Sequence, residues 1–226
     1  MTTSREEFLS RVRKAVAEGN GVGQRPERQS RGTTGYQGCG PDPVQRFVDQ
    51  FAAVGGKTIV VEDRHDAVKE ISKLVENRQA RSILLGHGPP LDTLGLSIIL
   101  REPGRTVRTT DAQGHPSREE LFQADFGISA VDYLIAETGS LVVTSKPHDP
   151  RSVSLLPPIH VAVAEQSQIL PDLFDLFPVV PDVDTGELPS CMSLITGPSK
   201  TGDIELKLVT GVHGPKEVIV VLIKSD

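Results

Sequence analysis

Tryptophan is absent from this chain of 226 residues, and there are only two Tyr and seven Phe. A core built from such a sequence must be mostly aliphatic, and its abundant Val, Leu and Ile suit a buried parallel sheet. Cysteine is equally scarce. Cys39 and Cys191 stand alone, with no CxxC pair. That excludes a disulfide framework and points to a reducing compartment, where a buried structural thiol is the default for Cys191. It also excludes an intrinsic iron–sulfur cluster, which needs about four cysteines. The six histidines, at positions 65, 87, 115, 148, 160 and 213, show no HxH or HxxxH spacing, which argues against a metal site.

Positive charge is lacking as well. The net charge is −6, and the one basic cluster, Arg25, Arg28 and Arg31, lies in a polar tract. Nucleic-acid binding, which calls for a basic face, is not expected. No apolar run approaches the roughly 20 residues needed to span a bilayer. The N-terminus carries Arg5, Glu6 and Glu7 and has no secretory character. The reading is therefore cytoplasmic, with no direct membrane insertion unless a partner holds the protein at a membrane.

What is present is a regular alternation. Ser4 followed by Glu7 is a capping box, and Phe8, Leu9, Val12, Ala15 and Val16 share a helical face, so residues 4–18 are predicted to be an amphipathic helix. It packs on its own domain or docks on another chain, and both readings stay open. The tract from Gly19 to Gly40 is polar and predicted to be mobile. Residues 1–40 thus form an appendage to a domain over 41–226. From Asp42 onward, helix, strand Thr58–Val61, helix, strand Ser82–Leu85, a helical stretch over 91–101, strand Thr106–Thr109 and a helix over Ser117–Ala124 follow one another. After Phe126 come a hairpin through Glu137-Thr138-Gly139, strand His160–Ala164 and a short helix Pro171–Phe177 begun by its proline. Three further strands follow, at Ser193–Thr196, Glu205–Val209 and Val218–Ile223. This pattern predicts a three-layer α/β domain with a mixed, largely parallel sheet.

Four places carry chemistry-bearing residues that packing does not require. In Glu137-Thr138-Gly139-Ser140, the carboxylate can serve as base, nucleophile or ligand anchor, or merely cap backbone amides in a turn. Arg151, with Ser152 and Ser154, offers a fork for a carboxylate or phosphate, or a surface brace. Gly197-Pro198-Ser199-Lys200-Thr201 can present amides and hydroxyls to an anion, although its spacing is neither a P-loop nor a Rossmann fingerprint. Asp203 and Glu205 follow, two apart and so on one face of a strand, able to bind a cation or to hold Lys200 and Arg151 in ordinary ion pairs. His213, in Gly211-Val212-His213-Gly214-Pro215, is suited to acid–base work or simply to a turn. His87, between two glycines after a strand, is a weaker parallel, and His160 reads as a half-buried strand residue.

The words GISAVDYLIAETGSLVV (Gly127–Val143), RSVSLLPPIHVAV (Arg151–Val163), PSCMSLITGPSKTGDIE (Pro189–Glu205) and GVHGP (Gly211–Pro215) resemble the bacterial LutC/YkgG family, whose members carry a LUD domain. The resemblance implies a fold similar to the NagB/RpiA/CoA-transferase-like group. It implies a role in oxidising L-lactate to pyruvate beside iron–sulfur partner proteins that carry the clusters this chain lacks. Under it, Glu137 and His213 become catalytic candidates. Thr138, Ser140, Arg151, Ser154, Gly197, Ser199, Thr201, Asp203 and Glu205 become binding candidates for a small organic acid or an unidentified cofactor. Two functions follow from different classes. One is a non-cluster subunit of an L-lactate utilisation system, which binds the acid or organises the redox partners. The other is a stand-alone small-molecule enzyme of CoA-transferase or sugar-phosphate isomerase type. The sequence leaves open whether the chain is an enzyme by itself.

Overall fold

The computed structural model describes residues 4–19, 35–110, 116–146, 150–180, 189–201 and 209–224. The chain divides into two units, Met1–Gly35 and Tyr36–Asp226. In the first, α1 (Arg5–Gly19) starts where the capping residue predicts, with Ser4 Oγ accepting the Glu7 N–H at 3.2 Å.

The second unit opens with α2 (Pro43–Ala53), capped by Asp42, whose carboxylate accepts the Gln45 N–H. Then come β1 (Lys57–Val61), α3 (Arg64–Asn77) capped by Asp63, and β2 (Ser82–Leu85). A 3₁₀ turn Leu91–Leu94, α4 (Leu96–Ile99), β3 (Thr106–Thr109), α5 (Arg118–Phe122) and β4 (Phe126–Ala130) follow. The chain next builds the hairpin β5 (Tyr133–Ile135) and β6 (Ser140–Thr144), α6 (Ser152–Leu155), β7 (Ile159–Glu165) and β8 (Ile169–Leu170). It closes with a 3₁₀ turn Leu173–Asp175, α7 (Leu176–Val179), β9 (Met192–Ile195), β10 (Lys200–Thr201), β11 (Val209–Thr210) and β12 (Glu217–Ile223).

Six of these strands form one sheet in the order β1-β12-β7-β4-β2-β3, every neighbouring pair parallel. The mixed pairing sits in a separate four-stranded sheet, β8-β5-β6-β9, where β5 runs parallel to β8 and antiparallel to β6. One face of the parallel sheet, including Ile83, Ile128, Val161 and Val221, is covered by α3 and by Leu91, Leu94, Leu96 and Leu100. On the other face, Ala162, Ala164, Val220 and Leu222 meet Phe47 and Phe51 of α2 together with Leu134, Leu141 and Val143 of the second sheet. Small alanines on β7 let the second sheet come close. Phe47 and Phe51 are fully buried and stacked, with ring centroids 5.4 Å apart. Each contributes about 2–3 kcal/mol by burial. The outer face of the second sheet packs Ile135 and Val142 against Leu176.

Three of the differences from the sequence expectation have a clear local cause. β4, in the middle of the sheet, is not among the predicted strands, because Gly127 and Ser129 interrupt its apolar run. The structure explains the glycine: a Cβ at position 127 would stand 1.9 Å from the Val153 carbonyl of α6. The helical stretch over 91–101 is broken at Gly95, which adopts φ +63° between the 3₁₀ turn and α4. The predicted helix from Pro171 begins later. Its capping residue is Asp172, whose carboxylate accepts the Phe174 N–H, and Pro171 stays outside. Of the predicted strand Glu205–Val209, residues 205–208 lie outside the described residues.

Candidate functional site

Because the six strands are parallel, their starts define one edge of the sheet, here the amino edge, and their ends define the carboxyl edge. Gly55-Gly56 precedes β1, Pro157-Pro158 precedes β7 and Gly211–Lys216 precedes β12, so these segments gather at the amino edge. Pro158 O accepts both the Lys216 N–H (2.8 Å) and the Glu217 N–H (3.2 Å), which ties two of them together.

The Gly197–Thr201 turn joins the same edge. The Ser199 N–H donates to Pro215 O (3.0 Å), and the Gly211 N–H donates to Ser199 O (2.9 Å). A Cβ on Gly214 would lie 3.3 Å from Ser199 Cβ. Two of the sequence motifs, fourteen residues apart from Gly197 to Gly211, are thus one structural unit. Its backbone amide at Ser199 is already engaged within the protein. Lys200 Nζ donates to Val54 O at the end of α2, where the helix dipole favours a cation. Gly197 has φ +82°, and a Cβ there would lie 2.8 Å from that same Val54 O.

The Glu137–Ser140 turn reaches the same helix from the second sheet. Gly139 has φ +62°, and a Cβ on it would stand 2.3 Å from the Phe51 amide nitrogen. Only glycine has both the backbone freedom and the room that this approach requires. Beside it runs a string of hydroxyls: Thr138 Oγ1 lies 2.8 Å from Ser140 Oγ, which lies 2.7 Å from Thr196 Oγ1. Ser140 is buried. Such a string can hand a proton or a hydrogen bond along its length.

The structure therefore brings together Thr138, Ser140, Gly197 and Ser199 near the last turns of α2, with Gly211 and Gly214 beside Ser199, while Thr201 pairs with Val209 in a short two-stranded ladder. His213 is exposed on the latter turn. Glu137 turns elsewhere. Its own N–H donates to Pro171 O, and its carboxylate accepts the Leu173 N–H (3.3 Å) at the start of the 3₁₀ turn. Arg151 is exposed at the start of α6, and Ser154, buried, donates Oγ–H to Arg151 O (3.1 Å). Asp203 and Glu205 lie outside the described residues. Two participants escaped the sequence reading. Thr196 closes the hydroxyl string, and the signal for it was a hydroxyl immediately before Gly197-Pro198. Asp172 is the other: a fully buried carboxylate that accepts from Gln37 (2.7 Å), Gly38 (3.0 Å) and Phe174 (3.0 Å). Burial works against its ionisation, but these N–H groups, with that of Leu173, outweigh it and hold the carboxyl below the usual range.

At the amino edge the strongest charge pairing is a fork. Arg78 Nη1 and Nη2 donate to the two Glu217 oxygens at 2.6 and 2.9 Å, with Lys57 Nζ 3.4 Å away. The Arg78 hydrogen bond is the main reason that the Glu217 carboxyl is lowered. Among the described residues no group of three or more His, Cys, Asp or Glu could hold a metal ion, and no helix is long and apolar enough to cross a membrane.

Comparison with known proteins agrees with this architecture. A family model described as the LUD domain matches residues 44–223. The chain is 35% identical over 158 residues to a protein named lactate utilization protein C from Halalkalibacterium halodurans, covering 69% of this chain and 68% of that one. A second protein of that name, from Bacillus velezensis, is 28% identical along an alignment that spans 99% of this chain and 97% of the relative. Among solved structures, a DUF162 family protein from Deinococcus radiodurans superposes with a TM-score of 0.58 at 20% identity, covering 80% of this chain and 96% of that one, and so shares the fold. With the family match reaching from α2 to the end of β12, the chain belongs to the LUD-domain family, in its LutC/YkgG group.

Proposed function

We propose that this chain serves lactate utilisation as the non-cluster subunit of an iron–sulfur system that oxidises L-lactate to pyruvate. The observation that carries the reading is its relation to proteins named lactate utilization protein C over most of its length. Two isolated cysteines leave cluster chemistry to partners. The chain contributes a rigid surface. At the amino edge the Gly197–Thr201 and Gly211–Pro215 turns, the Thr138–Ser140–Thr196 hydroxyls and exposed His213 present hydrogen-bonding groups to a small organic acid or to a partner chain.

The test is growth of the source organism on L-lactate as sole carbon source after deletion of this gene. The deletion strain should fail on L-lactate, grow normally on pyruvate and recover with the wild-type gene. Undiminished growth on L-lactate would overturn the proposal. Complementation with Ser199→Ala and His213→Ala then asks whether the amino edge matters. Steady turnover of an acyl-CoA or a sugar phosphate by the purified chain, lost in Glu137→Gln, would favour the stand-alone enzyme instead.

A further inference from the structure

At the opposite, carboxyl edge the sheet has a second place built for binding. β2 and β4 are neighbours, yet the chain leaves them in opposite directions. From β2 it passes through Leu91–Leu100, on the α3 face, to β3. From β4 it goes by way of the second sheet and α6, whose Val153 packs on Leu84 at the other face, to β7. Adjacent strands whose connections diverge leave a crevice outside their carboxyl ends, where open parallel sheets hold ligands. The loop after β2 borders this crevice, and the cavity it lines lies on the β3 side, between Leu85 at the end of β2 and Thr109 at the end of β3. The Gly86 N–H donates to Ile128 O of β4 (2.8 Å), and Gly88, at φ +118°, would bring a Cβ to 3.3 Å from Ala130 Cβ.

Between these glycines His87 is fixed by Asp92. Asp92 Oδ1 lies 3.1 Å from His87 Nδ1, and Oδ2 accepts the Gly88 N–H at 3.0 Å. The pair belongs to the lining of a cavity of about 230 Å³, together with Ser97 and Thr109 and with Leu91 and Leu96 as its apolar members. At roughly 30 Å³ per water in the liquid, this is the space of about eight waters. It suits a molecule of about that many non-hydrogen atoms, far smaller than a nucleotide. Apolar walls with a few convergent polar groups are the make-up of a small-molecule site.

We propose that this cavity binds a small uncharged polyhydroxyl compound of three or four carbons. The Asp92 carboxylate and the Ser97 and Thr109 hydroxyls match hydroxyl groups on one side of such a molecule, and the leucines match its carbon chain on the other. The Asp92 charge selects against an anion of equal size. The site is independent of the lactate reading and lies at the other end of the sheet from the residues on which that reading draws.

The test is a titration of the full chain with erythritol, glycerol and glycerate at pH 8, followed by the nuclear magnetic resonance signals of the His87 ring. Erythritol should shift those signals and bind at least about tenfold more tightly than glycerate, a difference well within reach of one charge. Asp92→Asn should narrow that preference to about threefold or less, because it removes the charge and keeps the shape. Ser97→Phe should abolish erythritol binding by filling the cavity, whereas Ser199→Ala at the amino edge should change nothing. The proposal is overturned by equal binding of erythritol and glycerate, by erythritol binding that survives Ser97→Phe, or by no binding of either polyol at about 50 mM, weaker than any specific site. If Ser97→Phe does not fold, the narrowed preference in Asp92→Asn decides.

Discussion

Ser129 Oγ lies 2.9 Å from His160 Nε2 inside the parallel sheet, and both residues are buried. The pair is diagonal across β4 and β7: Gly127 stands opposite His160, and Ser129 stands opposite Ala162. Burial pushes the His160 imidazole down to about 4. An unfolded imidazole titrates near 6.5. Below that value the unfolded chain takes up a proton that the folded chain refuses, so stability falls as pH drops from about 6.5 towards 4. The loss between pH 7 and pH 4 assigned to this residue is about 3 kcal/mol. Urea unfolding at both pH values should show it, and His160→Gln should lose about that much less over the same interval. Equal losses in the two proteins would refute the assignment.

Gly139→Ala should destabilise far more than Gly40→Ala. Both glycines have positive φ, +62° and +71°. Around Gly40 there is nothing within 4 Å of a new Cβ, so alanine incurs only the left-handed backbone cost of about 1–2 kcal/mol. At Gly139 the same Cβ meets the Gln50–Phe51 backbone. Overpacking adds about 1–3 kcal/mol there. Denaturant midpoints of the two variants check the order, and similar midpoints would sink it.

Asp172→Ala should release the segment Tyr36–Gly40 that enters the domain. The carboxylate, itself buried, gathers the part-buried Gln37, Gly38 and Phe174 N–H groups. Its removal leaves those part-buried donors partly to water, at a cost of about 1–3 kcal/mol. Hydrogen exchange at Gln37 and Gly38 should accelerate by at least about tenfold, against little change in the β12 amides relative to the altered global stability. Asp172→Asn, which keeps one acceptor oxygen, should fall between.

Glu217→Gln should weaken the amino edge in a way that depends on pH and salt. Its carboxyl is lowered chiefly by the Arg78 fork. The sign follows: the pair contributes above the unfolded carboxyl value near 4.3 and is lost as pH falls through the lower folded value. Because Arg78 and Glu217 are about a third exposed, solvent screening limits the loss to about 1 kcal/mol at pH 7. The wild-type and variant stabilities should converge by pH 3 and in 1 M salt. A gap that persists at pH 3 would mean that packing, not charge, sets the difference.

Much of the fold was legible because its signals are local. Helical periodicity places α2 and α3, and the residues that cap them, Asp42 and Asp63, sit one position before each helix. The continuous apolar runs of β2, β7 and β12 mark buried parallel strands within a residue at either end. The family words around Gly139, Gly197 and His213 were legible too, as was the small size of the aromatic complement that forces an aliphatic core.

What the sequence could not display were relations between residues far apart in the chain. β4 reads poorly because Gly127 answers to Val153 and Ser129 to His160, both contributed by later elements. Gly139 is glycine because of the α2 backbone, and Gly197 because of Val54 O. The position of Glu137 at the Leu173 amide, the closure of the hydroxyl string by Thr196, and the meeting of His87 with Asp92 beside the ends of β2 and β3 were likewise decided only on folding. Hydrogen-bonded periodicity and capping act over three or four residues and are written in order along the chain. Close approach and charge pairing depend on which elements become neighbours, and the tertiary packing of two sheets against α2 and α3 alone settles that.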